Sequence, residues 1–400
     1  MGIRGGKLPS SFISLVNGAI YNVRFEGVDA AGNTSPEATI KQIVFDNEAP
    51  VITVSAPTGD GYFKDPNLYY NLSEKLVSGT LAVDHVGGMA DGKAPHTITL
   101  NEKFRSEGEN LIPSIPWVDG ATYIVSFDGT DRAGNTAKSV QLKNITYDVT
   151  PPIITIDNIS NNSNIPDNTL SYSLSEYAAE ANLIFTHVGG KSDARSPQTI
   201  YLTGNELNGG VYIRASLKNG PDLVNGAIYD IEFTASDPAG NEATPINLTN
   251  ITFDNQSPKL SISRPIDAEQ IKTTIVSYMS DEDLVSGYMI FTQTSGTTDM
   301  NSPHRIPLKG SNLNAGVHSD VDLGITSQLA DGGRYEVTIE AYDKAGNMGE
   351  VTPIRDVFFD ILPPELSLSV PASGSHVTVS YTHLRAHETR EDRVWGRVGG

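Results

Sequence analysis

Along residues 229–236, "YDIEFTAS", apolar and polar side chains alternate. Tyr229, Ile231, Phe233 and Ala235 fall on one face and Asp230, Glu232 and Thr234 on the other, the period of a strand half-buried in a sheet. The stretch "YEVTIEAY" at 335–342 repeats the pattern with Tyr335, Val337, Ile339 and Ala341. Further strands are predicted at "TLSYSL", "NLIFTHV", "QTIYL" and "NLTNITF". Short alternating strands separated by turn residues specify an all-β chain of antiparallel sandwiches.

The strands recur in register. Asp-x-Ala-Gly-Asn is written four times, beginning at Asp29, Asp131, Asp237 and Asp343, so the spacing is 102, 106 and 106 residues. Eight residues before each aspartate stands Tyr21, Tyr123, Tyr229 or Tyr335, and seventeen after it Asp46, Asp148, Asp254 or Asp360. Earlier in each unit lies "YNLSEKLVSG" at 70–79, "YSLSEYAAE" at 172–180 or "YMSDEDLVSG" at 278–287. A unit of about 105 residues is far longer than a solenoid repeat, so each copy is expected to be a domain with its own core. Complete units are expected at 49–150, 151–256 and 257–362. Residues 1–48 match only the second half of a unit, and 363–379 read as the start of another.

A strand of the form Tyr-x-Val-x-Val-x-Ala-x-Asp leading into Ala-Gly-Asn resembles the bacterial immunoglobulin-like and fibronectin type III-like domains of large surface proteins. The resemblance covers residues 1–379 and implies tandem immunoglobulin-like β-sandwiches in an extended array. It also casts the tyrosine before each such strand as a tyrosine-corner residue, whose hydroxyl ties the preceding connection to the strand. From Ser380 onward "SYTHLRAHETREDRVWGRVGG" breaks the repeat and resembles translated sequencing-adapter read-through, so residues 380–400 read as a non-native tail. His383, His387 and Glu388 have the spacing of a helical zinc site, but they lie in that tail.

Composition narrows the chemistry. The 37 Gly and 23 Pro suit turns and short strands, not long helices. With 28 Lys and Arg against 48 Asp and Glu, the formal charge of −20 disfavours nucleic acid, whose phosphates require clustered bases, and favours cations. The absence of cysteine excludes disulfides, thiolate metal sites and cysteine nucleophiles. No run of about 18 apolar residues spans a bilayer. There is no Gly-x-Ser-x-Gly elbow, phosphate loop or dinucleotide fingerprint, and no histidine pair before the tail has metal-ligand spacing. No catalytic residue is assigned.

The repeated acids remain. In a seven-stranded sandwich of this type the B–C and F–G loops emerge at the pole where the chain enters. The segment after strand B brings Glu74, Glu176 and Glu282 there, the Asp-x-Ala-Gly-Asn turn brings Asp131, Asp237 and Asp343, and the preceding linker brings Asp46, Asp148 and Asp254. Three carboxylates converging from separate segments repel one another unless a hard cation taking six to eight oxygens joins them. Calcium is therefore expected at Asp46/Glu74/Asp131, Asp148/Glu176/Asp237 and Asp254/Glu282/Asp343. The alternative is local: Asp and Asn bond to nearby backbone in turns, and a linker aspartate only caps a turn before proline.

Short joints bearing Pro151, Pro152, Pro258, Pro363 and Pro364 favour a rod. The sequence thus reads as a non-catalytic piece of a secreted or cell-surface bacterial repeat protein, an adhesin or stalk. It is expected to be a monomeric array whose partner is a surface glycan or protein. The alternative is the accessory array of a large extracellular polysaccharide-degrading enzyme. Trp117 alone offers an aromatic platform outside the tail, and a packed loop residue is its competing role.

Overall fold

In a computed structural model of the chain, residues 14–349 and 351–367, with Gly374 and His376, are described. The tail from Ser380, its histidines included, and most of the unit expected from 363 lie outside the described residues.

Three sandwiches follow one plan. In the first, a three-stranded sheet of Ile52–Ala56, Leu68–Leu72 and Gly108–Ile112 faces a five-stranded one. The larger sheet runs in the order Tyr62–Phe63, Val140–Tyr147, Ala121–Asp131, Leu76–Gly88 and His96–Thr99. The second sandwich has the same three plus five strands, and in the third Met348–Gly349 adds a further short strand to the larger sheet. All pairings are antiparallel except that of the two-residue strand, which lies parallel to the last one. The seven strands expected are eight, because the first is interrupted. The turn-rich segment 57–61, "PTGDG", breaks it after Ala56 and lets Tyr62–Phe63 cross to the opposite sheet.

Alternation places the core as predicted. The strand Ala227–Ser236 buries Tyr229, Ile231 and Phe233, and each cluster unites both sheets of its own sandwich. In the first, Leu68, Tyr70 and Leu72 meet Leu81, Val83, Val125, Phe127 and Ile145. The strand Gly210–Ser216 carries no alternation strong enough to predict: Val211 and Ile213 are exposed on the edge of the small sheet. Residues 14–48 form only the two-stranded hairpin Ile20–Phe25 and Ala38–Val44.

All four corner tyrosines accept a hydrogen bond from the backbone five residues upstream. The donors are Val16, Val118, Val224 and Ala330, at 2.8, 2.9, 3.0 and 2.8 Å. This bond ties the connection to the start of the strand that ends in the Asp-x-Ala-Gly-Asn turn.

Candidate metal centres at the joints

The turn is built by its own letters. Its glycine sits at positive φ (95° at Gly134, 81° at Gly240, 90° at Gly346), where a Cβ would be strained. The aspartate folds back on the turn: Asp131 Oδ1 accepts from the Gly134 and Asn135 amides at 2.7 and 2.9 Å, and Oδ2 accepts from Asn135 Nδ2 at 2.8 Å. Asp237 and Asp343 are held in the same way by Asn241 and Asn347.

The asparagine does more than close the hairpin. Its Nδ2 also donates to the carbonyl of the preceding linker aspartate: Asn135 to Asp46 at 3.4 Å, Asn241 to Asp148 at 3.0 Å, Asn347 to Asp254 at 2.8 Å. One amide stitches each sandwich to the strand end before it. Neither propensity nor alternation signals that second bond, because its partner lies about 90 residues away.

The linker aspartate behaves as the local reading holds, accepting from the amide two residues on at Glu48, Thr150 and Gln256. The glutamate comes close to it as well. In each of the three groups, Asp46/Glu74/Asp131, Asp148/Glu176/Asp237 and Asp254/Glu282/Asp343, one carboxylate oxygen from each residue lies within 4.8 Å of the others. The turn aspartate is buried in every group. Among the described residues none donates a hydrogen bond to the carboxylate of Glu74, Glu176 or Glu282.

Charge makes these groups costly. Burial, then the adjacent Asp254 and Asp343 and the flanking Asp281 and Asp283, push Glu282 up to about 7. Burial followed by the neighbouring aspartates raises Glu74 and Glu176 likewise. Asp148 is raised by burial and by Asp237. Burial works to raise Asp131 as well, but the bonds from Asn135 and the turn amides outweigh it and hold it low. A trio whose turn aspartate is held by its own turn amides and whose glutamate receives no donor among the described residues is an oxygen-only donor set suited to a hard divalent cation.

A second acidic position was missed. Asp91, Asp193 and Asp299 lie under the corner tyrosines, each accepting the hydroxyl at 2.7–3.0 Å. His96 or His304 donates to the same oxygen at 2.7 or 2.6 Å, and Gln198 replaces histidine in the second sandwich. The signal was present: Asp-x-x-x-Pro followed by His or Gln recurs with the spacing of the other marks. Its role is to anchor the corner. The hydrogen bond from His96 is the chief reason that Asp91 is held down at about 2.

The remaining candidates pack. Trp117 is only 9% exposed, its indole donates to the Pro66 carbonyl at 3.1 Å, and its ring meets Phe63 and Tyr123 edge-on at 5.1 Å. It is a core residue and not a platform. His85 and His187 are half-buried against Tyr123 and Tyr229.

Residues 118–248 match the family model for "Bacterial Ig-like domain (group 3)", a span that runs through one joint and contains Asp148, Glu176 and Asp237, and residues 324–360 match one for "Bacterial Ig-like domain". The repeats are immunoglobulin-like domains. None of the curated proteins matches the chain. Among solved structures, the immunoglobulin-like repeats are similar to the chicken CNTN1 FN1-FN3 domains, with 12% identity over 78% of this chain and 99% of that one and a TM-score of 0.30. They are similar also to a tetra-tandem repeat in the extending region of a large adhesion protein, with 18% identity, 85% and 81% coverage and a TM-score of 0.29. The fibronectin(III)-like modules of Clostridium thermocellum CbhA share 11% identity over 51% of this chain and 94% of theirs, with a TM-score of 0.27. Immunoglobulin-like repeats of this kind are typical of cell-surface or extracellular proteins. No described helix is long and apolar enough to cross a membrane.

Proposed function

We propose that this chain is a non-catalytic spacer within a secreted or cell-surface bacterial repeat protein, an adhesin or stalk that holds a distal module away from the cell, and that calcium stiffens its joints. The observation that carries the reading is the recurrence of one carboxylate trio at three successive joints, always with one aspartate from the linker and two acids from separate loops.

Calcium acts here as a cross-link. Coordinated by Asp148 of the linker and by Glu176 and Asp237 of the following sandwich, it would offset their repulsion and fix the angle between domains; the same applies at the other two joints. Small-angle scattering of the full chain tests the shape. A compact 400-residue domain has a radius of gyration of about 21 Å. A value well above that in calcium, with a broader distribution of shapes after chelation, supports the spacer; a compact value in both conditions contradicts it.

A further inference from the structure

The joints are not equivalent. At the joint between the first and second sandwiches Lys64, directly after the short strand Tyr62–Phe63, donates through Nζ to the carbonyl of Gly240 in the turn of the following domain. This contact crosses 176 residues of sequence and bypasses the linker. The register of the short strands puts Pro166 in the place of Lys64 at the next joint, and proline carries no side-chain donor.

Other features agree. The first of these two joints holds consecutive prolines, Pro151 and Pro152, where the next has Pro258 alone, so fewer backbone angles are free to bend. Its linker makes two bonds to Asp119, from the Val149 amide at 2.8 Å and the Thr150 hydroxyl at 2.6 Å. The corresponding linker makes one to Asn225, from the Asn255 amide at 2.8 Å. Asn241, which stitches the first joint, is 7% exposed, while its counterpart Asn347 is only half-buried. The turn lysine at the second joint, Lys344, is spent within its own domain on Asp283, at 3.4 Å.

We propose that the joint at Pro151–Pro152 is locked by protein contacts, with Lys64 as a strut between domains, and that the joint at Pro258 is the hinge of the array. The lysine ammonium reaching the turn next to Asp237 also brings positive charge to a joint that carries the acid trio and Asp119. Resting on the calcium reading above, the corollary is that calcium stiffens both joints but changes bending more at the Pro258 joint, because protein contacts already restrict the Pro151–Pro152 joint.

The chain has no cysteine, so spin labels can be placed cleanly in the full-length protein. Asp84, Thr186 and Thr292 are exposed residues at equivalent positions of the three sandwiches. Double variants Asp84→Cys/Thr186→Cys and Thr186→Cys/Thr292→Cys report one joint each by pulsed electron–electron resonance. In EDTA the 84/186 distance distribution is expected to be narrow and the 186/292 distribution broad, and Lys64→Ala should broaden the first towards the second. Equal widths in EDTA, or no response to Lys64→Ala in a protein that still melts cooperatively, would overturn the strut. Calcium should narrow the 186/292 distribution. Unequal widths that ignore calcium would leave the strut standing and remove the calcium reading alone.

Discussion

Phe25 and Phe127 stand at the same position of the same strand, 102 residues apart, between the same tyrosine and the same Asp-x-Ala-Gly-Asn turn. Phe25 is 71% exposed and Phe127 is fully buried. The two hairpins agree in everything local. Tyr21 accepts the Val16 amide as Tyr123 accepts that of Val118, and Asp29 gathers the Ala31 and Asn33 amides at 2.9 Å. They differ in what lies opposite. Among the described residues the first hairpin has no facing sheet, whereas Leu68, Tyr70 and Leu72 close over Phe127. The turn and the corner are local properties of the motif, and the core is not.

The largest effect that separates the two is packing. Phe127→Ala should cost about 3–5 kcal/mol, through lost transfer energy and the cavity left behind. Phe25→Ala should change stability by no more than about 0.5 kcal/mol, as at an exposed site. Calorimetric melts of the two variants compare them directly, and equal losses would break the distinction.

The asparagine sharpens it further. Among the described residues Asn33 serves only its own turn, whereas Asn241 also holds the Asp148 carbonyl across the joint. Asn241→Ala should therefore cost about 1–3 kcal/mol, with buried partners left unpaired, and Asn33→Ala should cost less. Chemical denaturation reads both.

The acids of the two regions should respond to pH in opposite senses. Asp29, held low chiefly by the Asn33 side chain, binds its proton less tightly folded than unfolded, so its contribution is present above the ordinary value of 3.8 and fades as pH falls below it. Glu282, pushed from 4.5 to about 7, binds its proton more tightly folded than unfolded. In chelator the third sandwich should thus lose stability as pH rises from about 4.5 to about 7. Glu282→Gln should flatten that slope in melts across the range; a slope unchanged by the substitution would show that the raised acid is not its source.

The same distinction between local and distant determinants explains what could be read in the sequence. Period-two alternation found the strands at 229–236 and 335–342 because each buries one face, and it failed at Gly210–Ser216, an edge strand whose Val211 and Ile213 face outward. The joint acids were legible because four marks hold one register, so loop order alone brings Asp148, Glu176 and Asp237 to one pole. The Asn241 bond to Asp148 and the Lys64 contact with Gly240 were not, since nothing in either segment names a partner in another domain. The Asp91, Asp193 and Asp299 anchors were written in the repeat and passed over because turn aspartates are ordinary. Trp117, weighed as a platform, is fixed in the core by Phe63, Tyr123 and the Pro66 carbonyl.

The stiffness of the joints turns on whether the trios hold calcium. Melting of the full chain across a calcium titration, set against a Glu74→Gln/Glu176→Gln/Glu282→Gln variant, tests that most directly. A melting temperature that rises with calcium up to millimolar in the parent chain and stays flat in the variant is the predicted result. No rise in the parent chain, or the same rise in both, would contradict it.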